Sequence, residues 1–217
     1  MVDIAINPTQ EMNVEETATA KKDAAWAAIN TPLHVDALMV FIQDIERLFR
    51  INPMLVFKQW HASGAASYSM AGTNYSHETA FEFDTNFYVK QNANGIEIRY
   101  EDGIKTKTTF EIEAVVLDNG AQGSKLTITD SYASVDEDDE QLHSVDKSLV
   151  AWATDLQSFL MHWRRWSRFK SWRWYMQRVW MPMKPSGRRI TYMLLWISLV
   201  EIALIALGVG IYFAEYR

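Results

Sequence analysis

Apolar and polar residues alternate along much of the middle of the chain. Within 79–89, Phe81, Phe83 and Phe87 share one parity while charged residues such as Glu82 share the other, which is typical of a strand with one buried face. Asn-Gly and Asp-Gly pairs after this segment predict tight turns between successive strands. Similar strand-like segments lie at 22–30, 55–60, 96–100, 107–117 and 125–133. Together they predict an antiparallel meander with one apolar face.

Helical patterns flank the predicted strands. Residues 35–44 and 45–51 each predict a short helix, and the second should end before Asn52-Pro53. After the acidic linker 136–140, apolar residues recur every three or four positions and predict one helix of about 30 residues. This stripe consists of Leu142, Val145, Leu149, Trp152, Leu156, Phe159, Trp163 and Trp166. We expect it to pack on the apolar face of the sheet rather than in a coiled coil.

The segment 190–213 is apolar without any periodicity. Its 24 residues include one charged side chain, Glu201, and as a helix they would measure about 36 Å against a hydrocarbon core of about 30 Å. Tyr192 and Trp196 lie near one end and Tyr212 near the other, as in interfacial aromatic belts. A core helix of a soluble domain would rarely be apolar on every face for six turns. The pattern therefore predicts a transmembrane helix.

Charge is distributed very unevenly along the chain. The formal net charge is −6, but residues 1–162 hold 11 Lys and Arg against 25 Asp and Glu, whereas residues 163–189 hold nine Lys and Arg and no acid. Because the basic residues precede the apolar segment, the positive-inside rule predicts that the N-terminal domain is cytoplasmic or on an equivalent inner side. The first residues resemble neither a secretory signal nor a transit peptide. We expect a single-pass membrane protein.

Tryptophan and basic residues are interleaved just before the apolar segment. Such a segment suits a helix at the membrane interface, with cations towards anionic headgroups and indoles at the acyl boundary. Single-stranded nucleic acid also takes these residue types, but the adjacent apolar segment favours the membrane, and we expect no nucleic acid. The predicted interface residues are Trp163, Arg164, Arg165, Trp166, Arg168, Lys170, Trp172, Arg173, Trp174, Arg178 and Trp180.

Glu201 lies near the centre of the predicted transmembrane helix. An ionisable group there costs about 2.5–3.5 kcal/mol on insertion scales, so it is a candidate functional residue. It would contact a partner helix, remain protonated without a role, or take part in proton transfer. We favour contact with a membrane-protein partner, and the sequence leaves the other two alternatives open.

Catalytic and metal-binding patterns are absent from the sequence. The chain contains no cysteine, which excludes disulfides, thiolate metal sites and cysteine nucleophiles. Its five histidines are scattered without metal-ligand spacing, and no nucleotide-binding or hydrolase motif occurs. Glu82, Glu111 and Glu113 have the parity opposite to the apolar residues, so we expect them to be solvated. We predict no enzyme activity, no metal and no cofactor.

The order of the predicted elements resembles the START-like superfamily, which includes Bet v 1, polyketide cyclase-like and coenzyme-Q-binding proteins. The resemblance covers about 20–166 and is carried by Asn30-Thr31-Pro32, by 45–48 running to Asn52-Pro53, by the strand 124–132 and by the long helix after 140. It implies an α+β, helix-grip fold, in which an antiparallel sheet wraps a long C-terminal helix. The basic segment and transmembrane helix depart from the usual pattern of a diffusible carrier.

The resemblance also implies a cavity between helix and sheet for a lipid, sterol, quinone or polyketide. The candidate lining residues are Trp60, Tyr68, Phe81, Phe83, Phe87, Phe110, Trp152 and Phe159. The alternative is that these rings fill the space themselves. The expected function is a membrane-anchored module that binds a hydrophobic molecule at an anionic membrane surface. A non-catalytic accessory or assembly subunit of a membrane complex is the second hypothesis, and a polyketide cyclase-like enzyme is the third.

Five regions follow from these patterns. A basic and aromatic collar, 167–189, connects the domain to the membrane. The predicted regions are an acidic tail at 1–20, a START-like domain at 21–166, the collar at 167–189, a transmembrane helix at 190–213 and a stub at 214–217.

Overall fold

A computed structural model of the chain describes residues 24–76, 79–103, 105–117, 120–133 and 140–215, with backbone alone for 140–147. The predicted acidic tail, most of the acidic linker and the last two residues of the stub lie outside the described residues. The side chains of Leu142 and Val145 also lie outside them.

Seven strands and five α-helices make up the described residues, with a π-helical turn between the last two helices. In chain order the elements of the domain are β1 Ala24–Thr31, α1 Val35–Ile42, α2 Ile45–Arg50, β2 Leu55–Ala62, β3 Ser67–Asn74, β4 Phe81–Asn92, β5 Gly95–Tyr100, β6 Lys105–Val116, β7 Gln122–Tyr132 and α3 Glu140–Trp166. The elements that follow are α4 Lys170–Tyr175, the π-helical turn Met176–Trp180 and α5 Pro185–Glu215.

The strands form one antiparallel sheet in the order β1-β7-β6-β5-β4-β3-β2. Consecutive strands from β2 to β7 are neighbours, and β1 closes the row by pairing with β7, with Ile29 opposite Leu126. The chain therefore enters at one edge of the sheet, crosses over through α1 and α2, and returns from the other edge. A β-bulge between Phe57 and Gln59 interrupts the β2–β3 register.

Alternation places one face of the sheet against the helices. On β7, Leu126, Ile128 and Asp130 are fully buried, and Phe110 and Ile112 of β6 lie on the same face. The pairing of Phe110 with Ile128 and of Ile112 with Leu126 aligns these side chains in cross-strand rows. The predicted alternation of β4 is confirmed, with Phe87 buried and its neighbours exposed.

The long helix α3 closes the core. Its stripe residues Leu149, Trp152, Leu156 and Phe159 are all buried, as the three-four spacing predicts. The indole of Trp152 donates a hydrogen bond from Nε1 to the Leu48 carbonyl of α2 at 3.0 Å, which links the two helices. An antiparallel sheet with one long helix on its inner face confirms the predicted α+β, helix-grip architecture.

Two parts of the fold differ from the sequence prediction. Strand β3 was not predicted, because Ser67–Asn74 contains small and polar residues rather than an apolar run. At Gly72 a Cβ atom would lie 2.4 Å from the Val56 carbonyl oxygen, so the strands approach too closely there for a side chain. The C-terminal helix α5 begins at Pro185, five residues before the predicted start, and proline is favoured in the first turn of a helix.

Candidate functional site

Most of the predicted pocket residues meet between the sheet and the helices. Phe87, Phe110 and Trp152 are fully buried there, while Trp60 and Tyr68 are half-buried. Phe83 is also half-buried on the same face of β4. The sequence therefore identified side chains that lie together on the inner face of the sheet and on α3.

Phe49 of α2 is the centre of this interior aromatic cluster and was missed in the sequence. Its ring centroid lies 5.8 Å from Trp60, 5.4 Å from Phe87 and 5.4 Å from Trp152. Such separations are those of favourable tilted ring pairs. The spacing of Ile45, Leu48 and Phe49 on one side of α2 was the available signal.

The side of the cluster towards β2 and β3 is only partly covered by described residues. Tyr68 stacks on Phe87 with ring centroids 5.3 Å apart and an interplanar angle of 14°. Trp60 packs between Tyr68 and Phe57, at 6.0 Å and 5.6 Å. Trp60 and Tyr68 therefore keep part of their surface accessible on this side of the cluster.

Two predicted pocket residues lie apart from the cluster. Phe81 stands at the start of β4 and is 42% exposed. Phe159 is buried further along α3, 5.7 Å from Phe41 and 5.8 Å from Trp163. The first therefore lies at the rim of the sheet, and the second joins the packing beneath the collar.

A polar cluster of buried side chains lies on the same face of the sheet and was also missed. Asp130 is fully buried and accepts hydrogen bonds from Thr108 Oγ1 and Lys105 Nζ, both at 2.5 Å. The Tyr100 hydroxyl lies 3.1 Å from Thr108 Oγ1 and extends the network. Burial, with the nearby Asp130 carboxylate, raises the pKa of Tyr100 above its usual range. Since the Tyr100 ring lies 6.0 Å from Phe87, the polar and aromatic clusters adjoin.

The sequence carried a signal for this polar cluster. Leu126, Ile128 and Asp130 have the same parity on β7, so an acidic residue occupies a position that the alternation assigns to the core. A buried carboxylate requires a charged or hydrogen-bonding partner, and Lys105 supplies one.

The other candidate carboxylates are on the solvent side of the sheet. Glu82, Glu111 and Glu113 are exposed, as their parity predicts, and Glu82 pairs with Lys58 of β2. Among the described residues, no group of three or more His, Asp or Glu is arranged to hold a metal ion.

Three of the predicted interface tryptophans pack against the domain. Trp163 lies 5.8 Å from Phe159, Trp172 lies 5.5 Å from Trp163, and Trp180 lies 5.5 Å from Phe159. Each of the three is half-buried. Their packing joins α4 and the π-helical turn to the C-terminal part of α3.

Arg47 of α2 adds a cation to this packing. Its guanidinium carbon lies 4.3 Å from the Phe41 ring centroid and 5.0 Å from that of Trp163, as in cation–π pairs. Burial lowers the pKa of Arg47, and the neighbouring Asp44 carboxylate partly offsets that effect.

The remaining predicted interface residues are exposed. They are Arg164, Arg165, Trp166, Arg168, Lys170, Arg173, Trp174 and Arg178.

Arg188, in the first turn of α5, connects that helix to the domain. Its guanidinium donates hydrogen bonds to the backbone carbonyls of Arg50 at 2.8 Å, Trp180 at 3.1 Å and Met181 at 3.1 Å. It also lies over the Trp180 ring at 3.9 Å. These carbonyls belong to the ends of α2 and of the π-helical turn, where a cation is favoured. The sequence did not distinguish Arg188 from its neighbour Arg189.

The helix α5 is long and apolar enough to cross a membrane. It has 31 residues, none of which is buried against the described part of the domain. Glu201 is exposed on this helix. Around Gly208 and Gly210, no atom of the described chain lies within 4 Å of an added Cβ.

Comparison with known proteins gave matches among solved structures alone. No protein-family model matches the chain, and no curated protein matches it significantly. A STAR-related lipid transfer protein from Xanthomonas axonopodis is 12% identical, with a TM-score of 0.44, over 68% of this chain and 89% of that one.

Two further solved structures are similar over comparable lengths. A START superfamily protein from Mycobacterium smegmatis is 13% identical, with a TM-score of 0.47, over 64% of this chain and 97% of that one. The Zhui aromatase/cyclase from Streptomyces sp. R1128 is 13% identical, with a TM-score of 0.47, over 67% of this chain and 96% of that one.

Proposed function

We propose that the chain is a membrane-anchored START-like module that binds a hydrophobic molecule, such as a lipid, sterol or quinone. The observation that carries the proposal is the junction of the two interior clusters. Partly accessible aromatic rings at Trp60 and Tyr68 lead to the ring of Phe87, and the Tyr100 hydroxyl with its buried partners lies immediately beside it.

This arrangement suits an amphipathic ligand. The rings offer contact to an apolar ring or acyl chain, with about 25 cal/mol gained for each Å² of apolar surface removed from water. The Lys105 ammonium, which has further N–H groups beside the one given to Asp130, can donate a hydrogen bond to a carbonyl or hydroxyl of the ligand. The Tyr100 hydroxyl, whose proton goes to Thr108, can accept one from a ligand hydroxyl. A carbonyl-bearing ring such as a quinone would satisfy both features.

Anchoring by α5 would keep the module next to a reservoir of apolar molecules. In this proposal α5 spans the bilayer and the domain lies on the cytoplasmic or equivalent inner side, because the basic residues precede the helix. The proposal is a binding role without catalysis, in which Asp130, whose two oxygens accept hydrogen bonds from Thr108 and Lys105, holds the polar cluster in place.

The test is lipid extraction from the purified full-length protein, followed by mass spectrometry. We expect one class of lipid or quinone at close to one molecule per chain. Tyr68→Ala, which removes an inner-face ring, should reduce its occupancy severalfold. Tyr88→Ala is the matched control, because Tyr88 lies on the outer face of β4 and is 51% exposed. Equal, background amounts of every lipid in all three proteins would contradict the proposal.

A second candidate function is that of an accessory subunit in a membrane complex. It is favoured by α5, where an acidic side chain is exposed in the middle of an apolar helix with no cover from the described domain. Under this candidate, Glu201→Leu should abolish co-purification of a membrane partner, and Glu201→Gln should retain part of it. Unchanged co-purification with Glu201→Leu would remove the role given to this residue.

A further inference from the structure

The collar has an inner face that is part of the domain. Met176 and Met181 are buried, and Trp172 and Trp180 pack on Trp163 and Phe159. The segment is therefore packed on the domain from Trp172 to Met181.

Arg188 fixes the other end of the collar. Its three hydrogen bonds to carbonyls join the start of α5 to the end of the π-helical turn and to the end of α2. A planar guanidinium with several donors suits such a junction better than a lysine would. The outward side of the collar and of the preceding turn of α3 is consequently a preformed surface.

This outward surface is cationic and aromatic. Residues 163–189 contain no acidic side chain. Trp166, Phe169 and Trp174 are 40%, 45% and 62% exposed, although large rings are usually covered. The exposed cations are Arg164, Arg165, Arg168, Lys170, Arg173, Arg178, Lys184 and Arg189.

The cations and rings lie side by side. The Arg165 guanidinium is 5.5 Å from the Trp166 ring centroid, and that of Arg168 is 5.1 Å from Phe169. Anionic phosphates beside an acyl boundary match this mixture. Phosphates and bases of single-stranded nucleic acid match it too, but α5 begins at Pro185, within the collar, and its insertion would bring a bilayer next to the surface.

We propose that the outward surface of residues 163–189 binds anionic phospholipid headgroups of the leaflet that α5 enters, and does so as a preformed docking surface. The proposal rests on the insertion of α5 that the proposed function includes. It adds a preference for lipid charge and identifies which side chains carry it. Three of the five tryptophans in the segment, Trp163, Trp172 and Trp180, are thereby assigned to holding the surface in place and not to the lipid.

The test uses the full chain in nanodiscs of phosphatidylcholine with or without phosphatidylglycerol. Because the chain has no cysteine, Ser171→Cys gives one attachment site for an environment-sensitive dye between Lys170 and Trp172. The control site is Ala65→Cys, in the exposed turn at the far end of β2, roughly 26 Å along the strand from the collar. Phosphatidylglycerol should shift the dye emission to the blue at position 171 and leave it unchanged at position 65.

Charge variants of the labelled protein test whether the cations of the surface carry the response to phosphatidylglycerol. Combined replacement by Gln of Arg164, Arg165, Arg168 and Lys170 should remove most of the shift, since each basic residue near an anionic surface strengthens the attraction about fivefold. The matched control replaces four lysines of the sheet by Gln, namely Lys58, Lys90, Lys107 and Lys125. This control variant should keep the emission shift. High salt should weaken the response of the unmodified surface.

The outcomes also separate this proposal from the proposed function. If the chain fails to float with neutral vesicles after alkaline extraction, then α5 is not inserted and the proposed function fails first. If it floats but the dye at position 171 responds equally in neutral and anionic discs, the lipid-charge preference is wrong. A response to a single-stranded oligonucleotide in neutral discs, without a response to phosphatidylglycerol, would assign the surface to nucleic acid and overturn the proposal.

Discussion

The two long helices of this chain, α3 and α5, differ in how their apolar residues are distributed around the helix and in whether the domain buries them. The 27 residues of α3 carry a stripe that is buried from Leu149 to Leu160 while the other sides face outward. Within the 31-residue helix α5, residues 190–213 are apolar on all sides apart from Glu201, and the described domain buries none of the helix. A helix with one apolar stripe packs on a domain, whereas a helix that is apolar all round requires an apolar surrounding. The periodicity, more than the content of apolar residues, distinguishes the two environments.

The largest expected effect compares two tryptophans, one on each helix. Trp152 of α3 is 2% exposed and contacts Phe49 and Phe110, whereas Trp196 of α5 is 51% exposed. Trp152→Ala should lower the free energy of unfolding of the domain by about 3–5 kcal/mol, because it leaves a cavity and loses the bond to Leu48. Trp196→Ala should change it by less than about 0.5 kcal/mol. Urea denaturation in detergent measures both free energies of unfolding. Similar losses for the two variants would contradict the proposed difference between the helices.

The second-largest expected effect concerns the first turn of α5, where Arg188 is hydrogen-bonded to the domain. Arg188→Ala should lower the free energy of unfolding by about 2 kcal/mol, because three carbonyls lose a charged donor. Arg189→Ala, one residue later on an exposed position, should stay within about 0.5 kcal/mol. Arg188→Lys should recover only part of the loss, since an ammonium lacks the planar fork of donors. Thermal unfolding of the three variants checks the order, and equal effects at 188 and 189 would contradict it.

The smallest expected effect concerns the buried polar cluster of the domain, which α5 lacks, and it is measured as a change in the pH dependence of stability. The pKa of Tyr100 is raised by burial and by Asp130, so the folded state holds this proton more tightly than the unfolded state. Its contribution to stability is therefore complete below the unfolded value of about 10 and falls as the pH rises above that value. Tyr100→Phe should cost about 1 kcal/mol at neutral pH, through the bond to Thr108, and should make the alkaline decline shallower.

Urea midpoints between pH 7 and about 11 test this prediction. Other groups of the protein also titrate in this alkaline range, so the difference in stability between the two proteins is the informative quantity. An identical decline in both would show that Tyr100 does not contribute to it.

Local patterns were sufficient for the fold because each of its main elements has its own periodicity. The alternation on β4 and the stripe on α3 each identify a buried face without knowledge of the rest of the chain. The strand β3 was not predicted because its fit depends on a neighbour. Gly72 is required by the Val56 carbonyl of the adjacent strand, which no local pattern reveals.

The candidate sites were predicted less completely, for the same reason. Phe87 and Trp152 were predicted to share one interior because both belong to periodic patterns, but the burial of Asp130 is explained by Lys105 and Thr108 of the neighbouring strand. The collar illustrates the limit most clearly. Its composition indicates an interface, yet Trp180 meets Phe159 across the fold while Trp174 faces outward, and this division follows from long-range packing.

The two edges of the sheet, including the bulge in β2, bear on whether copies of the chain can aggregate by strand pairing. A flat, exposed sheet edge can recruit another copy of the chain as an extra strand. At one edge of this sheet, Gln157 of α3 donates to the free carbonyl of Asn30 on β1. At the other edge, the bulge between Phe57 and Gln59 interrupts the regular hydrogen-bond ladder of β2, and the side chain of Lys58 is exposed there. Each edge therefore carries one feature that disfavours the addition of a strand from another copy.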